Sequence, residues 1–175
     1  MKKIVSIVLA AVLLLGILPL GALGVSAATS SVYTYTVSNG EVTITGCDTE
    51  VSGELVIPET IGGCAVTGIG EIAFMNCKKI TAVTIPAGVK AIGMGAFSAC
   101  ENLMSIVVAE GNRVYHSAGN CLIETASKKL VNGCSFSVIP ADGSVTSIGD
   151  GAFMACSFTS ITVPNGVTYI GGGGV

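Results

Sequence analysis

The phrase "IGMGAFSAC" (92–100) recurs with small changes as "IGEIAFMNC" (69–77) and "IGDGAFMAC" (148–156). Nothing else in the chain constrains its fold as strongly. A unit repeated at a fixed period is one structural step stacked on copies of itself. Phe74 and Phe97 are 23 residues apart, as are Ala73 and Ala96, Cys77 and Cys100, Ile69 and Ile92, and Ile85 and Val108. A second anchor ends in proline: "LVIP" (55–58), "VTIP" (83–86), "SVIP" (137–140) and "ITVP" (161–164), with Val107-Val108-Ala109 in the missing place. The steps are then 28, 23, 31 and 24 residues, a unit of about 23 with insertions.

Each unit has a local logic. "ITAVTIP" (80–86) alternates apolar and small polar residues, the pattern of a strand with one buried face. Pro86 ends it, because proline cannot donate to a ladder. "VKAIG" (89–93) reads as a second, shorter extended piece, and "MGAFSAC" (94–100) as a compact turn with Phe97 pointing inward. A unit of this size cannot bury its apolar face alone, so the units must stack as a solenoid with equivalent strands in a parallel sheet. Equivalent positions then form structural ladders: Phe74, Phe97 and Phe153 in one, Cys77, Cys100 and Cys156 in another. Between the buried strand positions, Val56, Thr84, Val107 and Thr162 face outward in one column, the candidate binding face.

The ends and the longest insertion are read in the same terms. "VYTYTV" (32–37) and "EVTIT" (41–45) flank Ser38-Asn39-Gly40, a strong hairpin signal. Residues 29–53 are therefore assigned as an N-terminal capping hairpin covering the first of the repeats that fill 54–175. The enlarged turn at 109–136 holds "CLIET" and "KLVNG" around "ASK", which reads as a β-hairpin projecting from the body. It is a second expected contact surface. "VTYIGGGGV" (167–175) aligns with "VKAIGMGAF" (89–97), so the last repeat is expected to be truncated and uncapped.

Met1-Lys2-Lys3, an apolar run from Ile4 to Leu18 and small residues at Val25-Ser26-Ala27-Ala28 give the layout of a secretory signal peptide over residues 1–28. Lys2 and Lys3 leave with it, taking the net charge from −3 to −5. No basic patch remains, which argues against nucleic acid as a partner. The remaining ~147 residues suit one domain that buries roughly two thirds of its unfolded surface. No second apolar span follows, so no membrane span is expected once the signal is removed, and the chain is expected to be secreted or at the cell surface.

The residues carry a resemblance. "KKITAVTIPAGVKAIGMGAFSACENLMSI" (78–106) and "VTSIGDGAFMACSFTSITVPNGVTYIG" (145–171) resemble BspA-like leucine-rich repeats of bacterial surface and secreted proteins. "NRVYHSAGNCLIETASKKLVNG" (112–133) resembles a variant unit of such proteins. The departures are Ala109 for proline, Phe158 for leucine with one residue lost, and the glycine-rich end. The resemblance implies a right-handed leucine-rich-repeat solenoid outside the cell, and a binding or adhesion role toward an extracellular protein or glycan. The alternatives are a non-catalytic scaffold portion of a larger secreted enzyme, or a truncated fragment with no function of its own.

No constellation points to catalysis, a cofactor or a metal. "GMGAFS" lacks the third glycine of a dinucleotide fingerprint and no lysine stands where a P-loop needs one. His116, near Tyr115, Ser117 and Cys121, has no third group to orient it as part of a Cys/His pair. The acids are spread singly, and Lys78-Lys79 and Lys128-Lys129 read as solvating turns. The seven cysteines (47, 64, 77, 100, 121, 134 and 156) include no C-x-x-C pair, and their number is odd. Those of the repeat recur at a core-facing position, as small hydrophobes. Stacked in register, their side chains point alike rather than toward one another. Thiol titration of the denatured, unreduced protein should therefore find most of the seven free; a single free thiol would refute this.

Overall fold

The structure, a computed structural model, describes the backbone of residues 26–29 and all of residues 32–175. The expected signal peptide, 1–28, lies outside the described residues except for the backbone of its last three positions. The described residues form a β-rich repeat solenoid of short strands without a helix. No helix among them is long and apolar enough to cross a membrane.

The amino-terminal strands β1 (Ser26–Thr29), β2 (Tyr33–Ser38) and β3 (Glu41–Cys47) form an antiparallel meander. Asn39 and Gly40 turn β2 into β3 with φ of 52° and 76°, the primed turn that an Asn-Gly pair favours. On one face of the solenoid, β4 (Gly53–Val56), β7 (Ile80–Ile85) and β9 (Ser105–Val108) pair in parallel. Leu55, Val83 and Ile106 are buried in register there, as their alternation requires. On the other face, β6 (Cys64–Ile69) runs parallel to β3 on one side and to β8 (Ala91–Ile92) on the other, while β5 (Thr60–Ile61) folds back onto its start. That face resumes with β12 (Lys129–Asn132), β13 (Ser147–Ile148) and β14 (Tyr169–Ile170), again parallel.

The repeated phrase forms the corner between the faces. Backbone bonds link successive corners: Ile72 N–H to Met94 O (3.1 Å), Phe74 N–H to Ala96 O (2.8 Å) and Asn76 N–H to Ser98 O (3.1 Å). The corner needs a left-handed residue two places before its phenylalanine. Gly95 and Gly151 fill it with φ of 62°, but the first copy places Ile72 there at φ 50°, a conformation that disfavours a β-branched side chain. Phe74 and Phe97 stack at 5.0 Å with 16° between their rings, and Tyr33 of β2 meets Phe74 edge-on at 6.3 Å. Each such pair adds roughly 0.5–1.5 kcal/mol beyond its buried area.

The enlarged turn departs from its expected form. Its hairpin exists: β10 (Tyr115–Ala118) pairs with β11 (Cys121–Glu124), and β11 with β12, all antiparallel. It does not project from the body. Cys121, Leu122 and Ile123 are fully buried, and exposure is confined to Gly119 in the first turn and the tip at 125–129. Leu122 packs into the amino-terminal core, whereas Cys121 and Ile123 pack into a second core with Leu130, Ile139, Ile148 and Phe153. The hairpin is thus the wall between two cores, and the physical reason is its continuous apolar run, which has a buried partner on both faces.

Behind this wall the corner ladder is spliced. Phe97 N–H donates to the side-chain Oδ1 of buried Asn132 (3.4 Å) instead of to a backbone carbonyl, and Asn132 Nδ2 donates to Gly133 O (2.8 Å). Gly133 N–H then donates to Ala152 O (2.8 Å), as Phe74 does to Ala96, so Gly133 occupies the phenylalanine place. The Phe153 ring fills the missing volume: a Cβ on Gly133 would lie 2.0 Å from Phe153 Cε1. Phe153 therefore leaves the Phe74–Phe97 stack and pairs edge-on with Phe158 at 5.7 Å.

Two substitutions test this reading by urea denaturation. Gly133→Ala should destabilise by about 1–3 kcal/mol through overpacking, and Phe153→Leu in the same chain should recover part of the loss. Ile72→Asn should stabilise by up to about 1 kcal/mol, because Asn tolerates the left-handed region.

Candidate binding face

The outward face of the β4–β7–β9 sheet follows from strand alternation. Once Leu55, Val83 and Ile106 point inward, the next residue of each strand points out. Val56, Thr84 and Val107 are in register across the three strands, and Val56 and Val107 are 66% and 44% exposed. A second outward column, Glu54, Ala82 and Ser105, runs beside them. Small side chains keep this face flat and allow the close approach of another surface.

Thr162 is not on that sheet. After β9 the neighbouring place is taken by the inserted hairpin: Val108 N–H donates to Ser117 Oγ (3.1 Å), and Val138 N–H donates to Gly119 O (2.8 Å). The "SVIP" and "ITVP" segments follow as extended chain without ladder bonds among the described residues. Thr162 is exposed on the second of them. An open cleft of about 430 Å³ lies between the two segments, lined by Val138, Ile139, Ile161, Thr162 and Pro164 among others. On the opposite face a second hollow, of about 180 Å³, lies among Ile92, Met94, Lys129, Asp150 and Tyr169. Only the first reaches the roughly 300 Å³ at which small-molecule pockets begin.

Val138 was missed by sequence reasoning, although the signal was present. It occupies the same place in "SVIP" as Val56 in "LVIP", and at 71% it is the most exposed of these residues. Phe136 beside it is 60% exposed.

The other candidate groups are placed apart from this face. Cys77 and Cys100 are buried and Cys156 is half-buried. The Cys100 thiol donates to Phe74 O (3.1 Å), and that of Cys156 to Gly133 O (3.7 Å), each reaching the corner of the preceding turn. Burial pushes the Cys100 thiol up to about 12 and those of Cys121 and Cys156 up to about 11, so all three are protonated at neutral pH. His116 Nδ1 bonds to Thr125 Oγ1 (2.9 Å), whereas the Cys121 thiol meets the carbonyls of Gly119 and Val138. The two do not form a nucleophile pair. Lys78 and Lys79, read as solvating a turn, form ion pairs with Glu101 and Glu50.

The sequence matches the BspA type leucine-rich repeat region in six copies, over residues 54–131 and 124–173. The chain belongs to the BspA-type leucine-rich repeat family. A BspA-type assignment agrees with solved folds. A leucine-rich repeat protein from Bacteroides ovatus is 29% identical with a TM-score of 0.53, over 82% of this chain and 37% of its own. One from Eubacterium ventriosum is 16% identical with a TM-score of 0.53, over 83% of this chain and 61% of its own. The chain therefore spans less than two thirds of either protein. A comparison with functionally curated proteins finds no match.

Proposed function

We propose that this BspA-type chain is a non-catalytic binding module that is exported to the bacterial cell surface and docks an extracellular protein. The observation that carries the reading is the in-register column of Val56, Thr84 and Val107 on a flat, largely uncharged sheet face. Solenoids stack such columns into extended surfaces, and their stiffness keeps the ordering cost of binding low. Val138 and Phe136, both exposed just after the inserted hairpin, add apolar surface, and the hairpin itself gives its apolar run to the two cores. Exposed apolar groups gathered on one side are the usual mark of a protein-binding patch. A glycan is the lesser candidate, because the face offers few of the directional polar groups that sugar recognition uses. Family membership supports a binding role in general. Export rests on the leader-like amino terminus, and adhesion is the role that fits a surface-displayed module.

The test is to display the protein and probe an array of extracellular proteins and glycans. A variant carrying Val56→Lys, Thr84→Lys and Val107→Lys should lose at least about 10-fold in affinity for a captured protein while keeping its melting temperature within a few degrees, since the three positions are outward. Unchanged capture by this variant would remove the face from the proposal, and capture of glycans alone would exclude a protein partner.

A further inference from the structure

Each repeat cysteine reaches the corner of the preceding turn: Cys100 to Phe74 O and Cys156 to Gly133 O. Cys77, in the first such corner, has the amino-terminal hairpin before it instead, and there it meets another cysteine. Cys47 ends β3, paired with Tyr33, whose ring packs against Phe74. The segment after Cys47 is held against the segment after Cys77 at two points. Gly53 N–H donates to Lys79 O (3.0 Å), and Glu50 pairs with Lys79. Cys47 packs on the core cluster that contains Cys77, and each thiol is the largest influence on the other's titration.

Cys47 ends β3, ahead of the first corner, so it does not hold the repeat cysteine's place and the rule that keeps stacked repeat cysteines pointing alike does not apply to it. We propose that Cys47 and Cys77 are a site of thiol–disulfide exchange, at which a covalent bond fastens the amino-terminal hairpin to the first repeat turn.

The co-reactant is a disulfide, either a small one such as oxidised glutathione or a protein carrier. Half-buried Cys47 is the accessible sulfur, and Cys77 is sealed. The Cys47 sulfur attacks the carrier disulfide, forming a mixed disulfide, and one carrier sulfur leaves as a thiolate that takes up the Cys47 proton. Cys77 then attacks the Cys47 sulfur, and the second carrier sulfur leaves and takes up the Cys77 proton. Two protein thiols lose two electrons, and one carrier disulfide becomes two carrier thiols. The order follows from access: Cys47 is half-buried and meets the carrier first, and sealed Cys77 reacts only with the Cys47 sulfur. In the reduced pair the hydrogen bond from Cys47 is the main influence on Cys77 and lowers it, opposed by burial and by Asp48; that bond is lost once the Cys47 sulfur enters the mixed disulfide. The same bond, burial and the neighbouring Asp48 and Cys100 raise Cys47, which makes the first step the slow one.

The other cysteines are placed differently. Cys47 Sγ also reaches a carbonyl, that of Asp48 (3.6 Å), but it lies beside a second cysteine; the sulfurs of Cys100, Cys121, Cys134 and Cys156 lie against carbonyls within the repeats, and Cys64 sits at the Gly62–Gly63 turn between β5 and β6. A single bond between Cys47 and Cys77 leaves five of the seven thiols free.

To test this, the purified full chain is equilibrated in a glutathione buffer poised for oxidation, alkylated, and digested without reduction for mass mapping. The expected result is one linked peptide pair containing Cys47 and Cys77, with five alkylated cysteines. Oxidation should also raise the melting temperature by about 5–10 °C, because the bond closes a loop of about 30 residues. Cys47→Ser should lack this rise while matching the reduced wild type, which separates loss of the bond from misfolding. Seven alkylated cysteines after oxidation, or bonds joining other cysteines while Cys47 and Cys77 stay alkylated, would overturn the proposal. So would a melting temperature that does not change when the pair forms.

Discussion

The structure depends on one constraint: the repeat strands, and every second N–H of the first corner, find their backbone partners on the turn beside them. Ile72, Phe74 and Asn76 donate to carbonyls of residues 94–98, and β7 is bonded on both edges by β4 and β9. No unit of about 23 residues can satisfy these groups alone, and an unpaired buried N–H costs about 1–3 kcal/mol. Register is therefore not adjustable locally. A slip of one residue would turn Leu55, Val83 and Ile106 outward and bury the outward column. The exposed face inherits its register from the core, and its small side chains then leave it flat.

The irregular segment shows how such an array absorbs an insertion. A hairpin that replaces a turn must present two buried faces, and β11 does so by alternating Leu122 into one core with Cys121 and Ile123 into the other. It must also hand on the corner ladder, and Asn132 does this by lending a side-chain amide where a peptide group is missing. Volume is conserved in the same place, since Gly133 removes a side chain and Phe153 supplies one. The cost falls on the sheet: the "SVIP" and "ITVP" segments lie beyond the hairpin without ladder bonds, and a cleft opens between them.

These events divide what was legible in the sequence from what was not. The 23-residue period, the class of fold and the register of Val56, Thr84 and Val107 follow from alternation and self-comparison, which are local signals. The hairpin was also legible, but not its burial. The unbroken run Cys121-Leu122-Ile123 was the clue, since a strand apolar on both faces is usually covered on both. Val138 was passed over, although its phrase was counted among the anchors and matches "LVIP" at three of four places. Thr162 matches the pattern as well and still leaves the sheet, because alternation fixes which way a side chain points on a strand but not whether the strand finds a neighbour. The side-chain splice at Asn132 and the exchange of volume between Gly133 and Phe153 are contacts across turns, and no local pattern encodes them.

The cysteines illustrate the same distinction between position and chemistry. In the repeat their sulfurs are small apolar fillers, protonated by burial and turned toward a carbonyl of the previous turn. Cys77 holds the same place in its phrase, but the element before it is of a different kind, a hairpin with its own cysteine. Identical letters therefore have different chemical surroundings at the first turn and in the middle of the array. In a repeat protein the residues that differ in chemistry are those whose neighbour along the array differs, which directs attention to the junctions at 47–53 and 109–136 rather than to the motif itself.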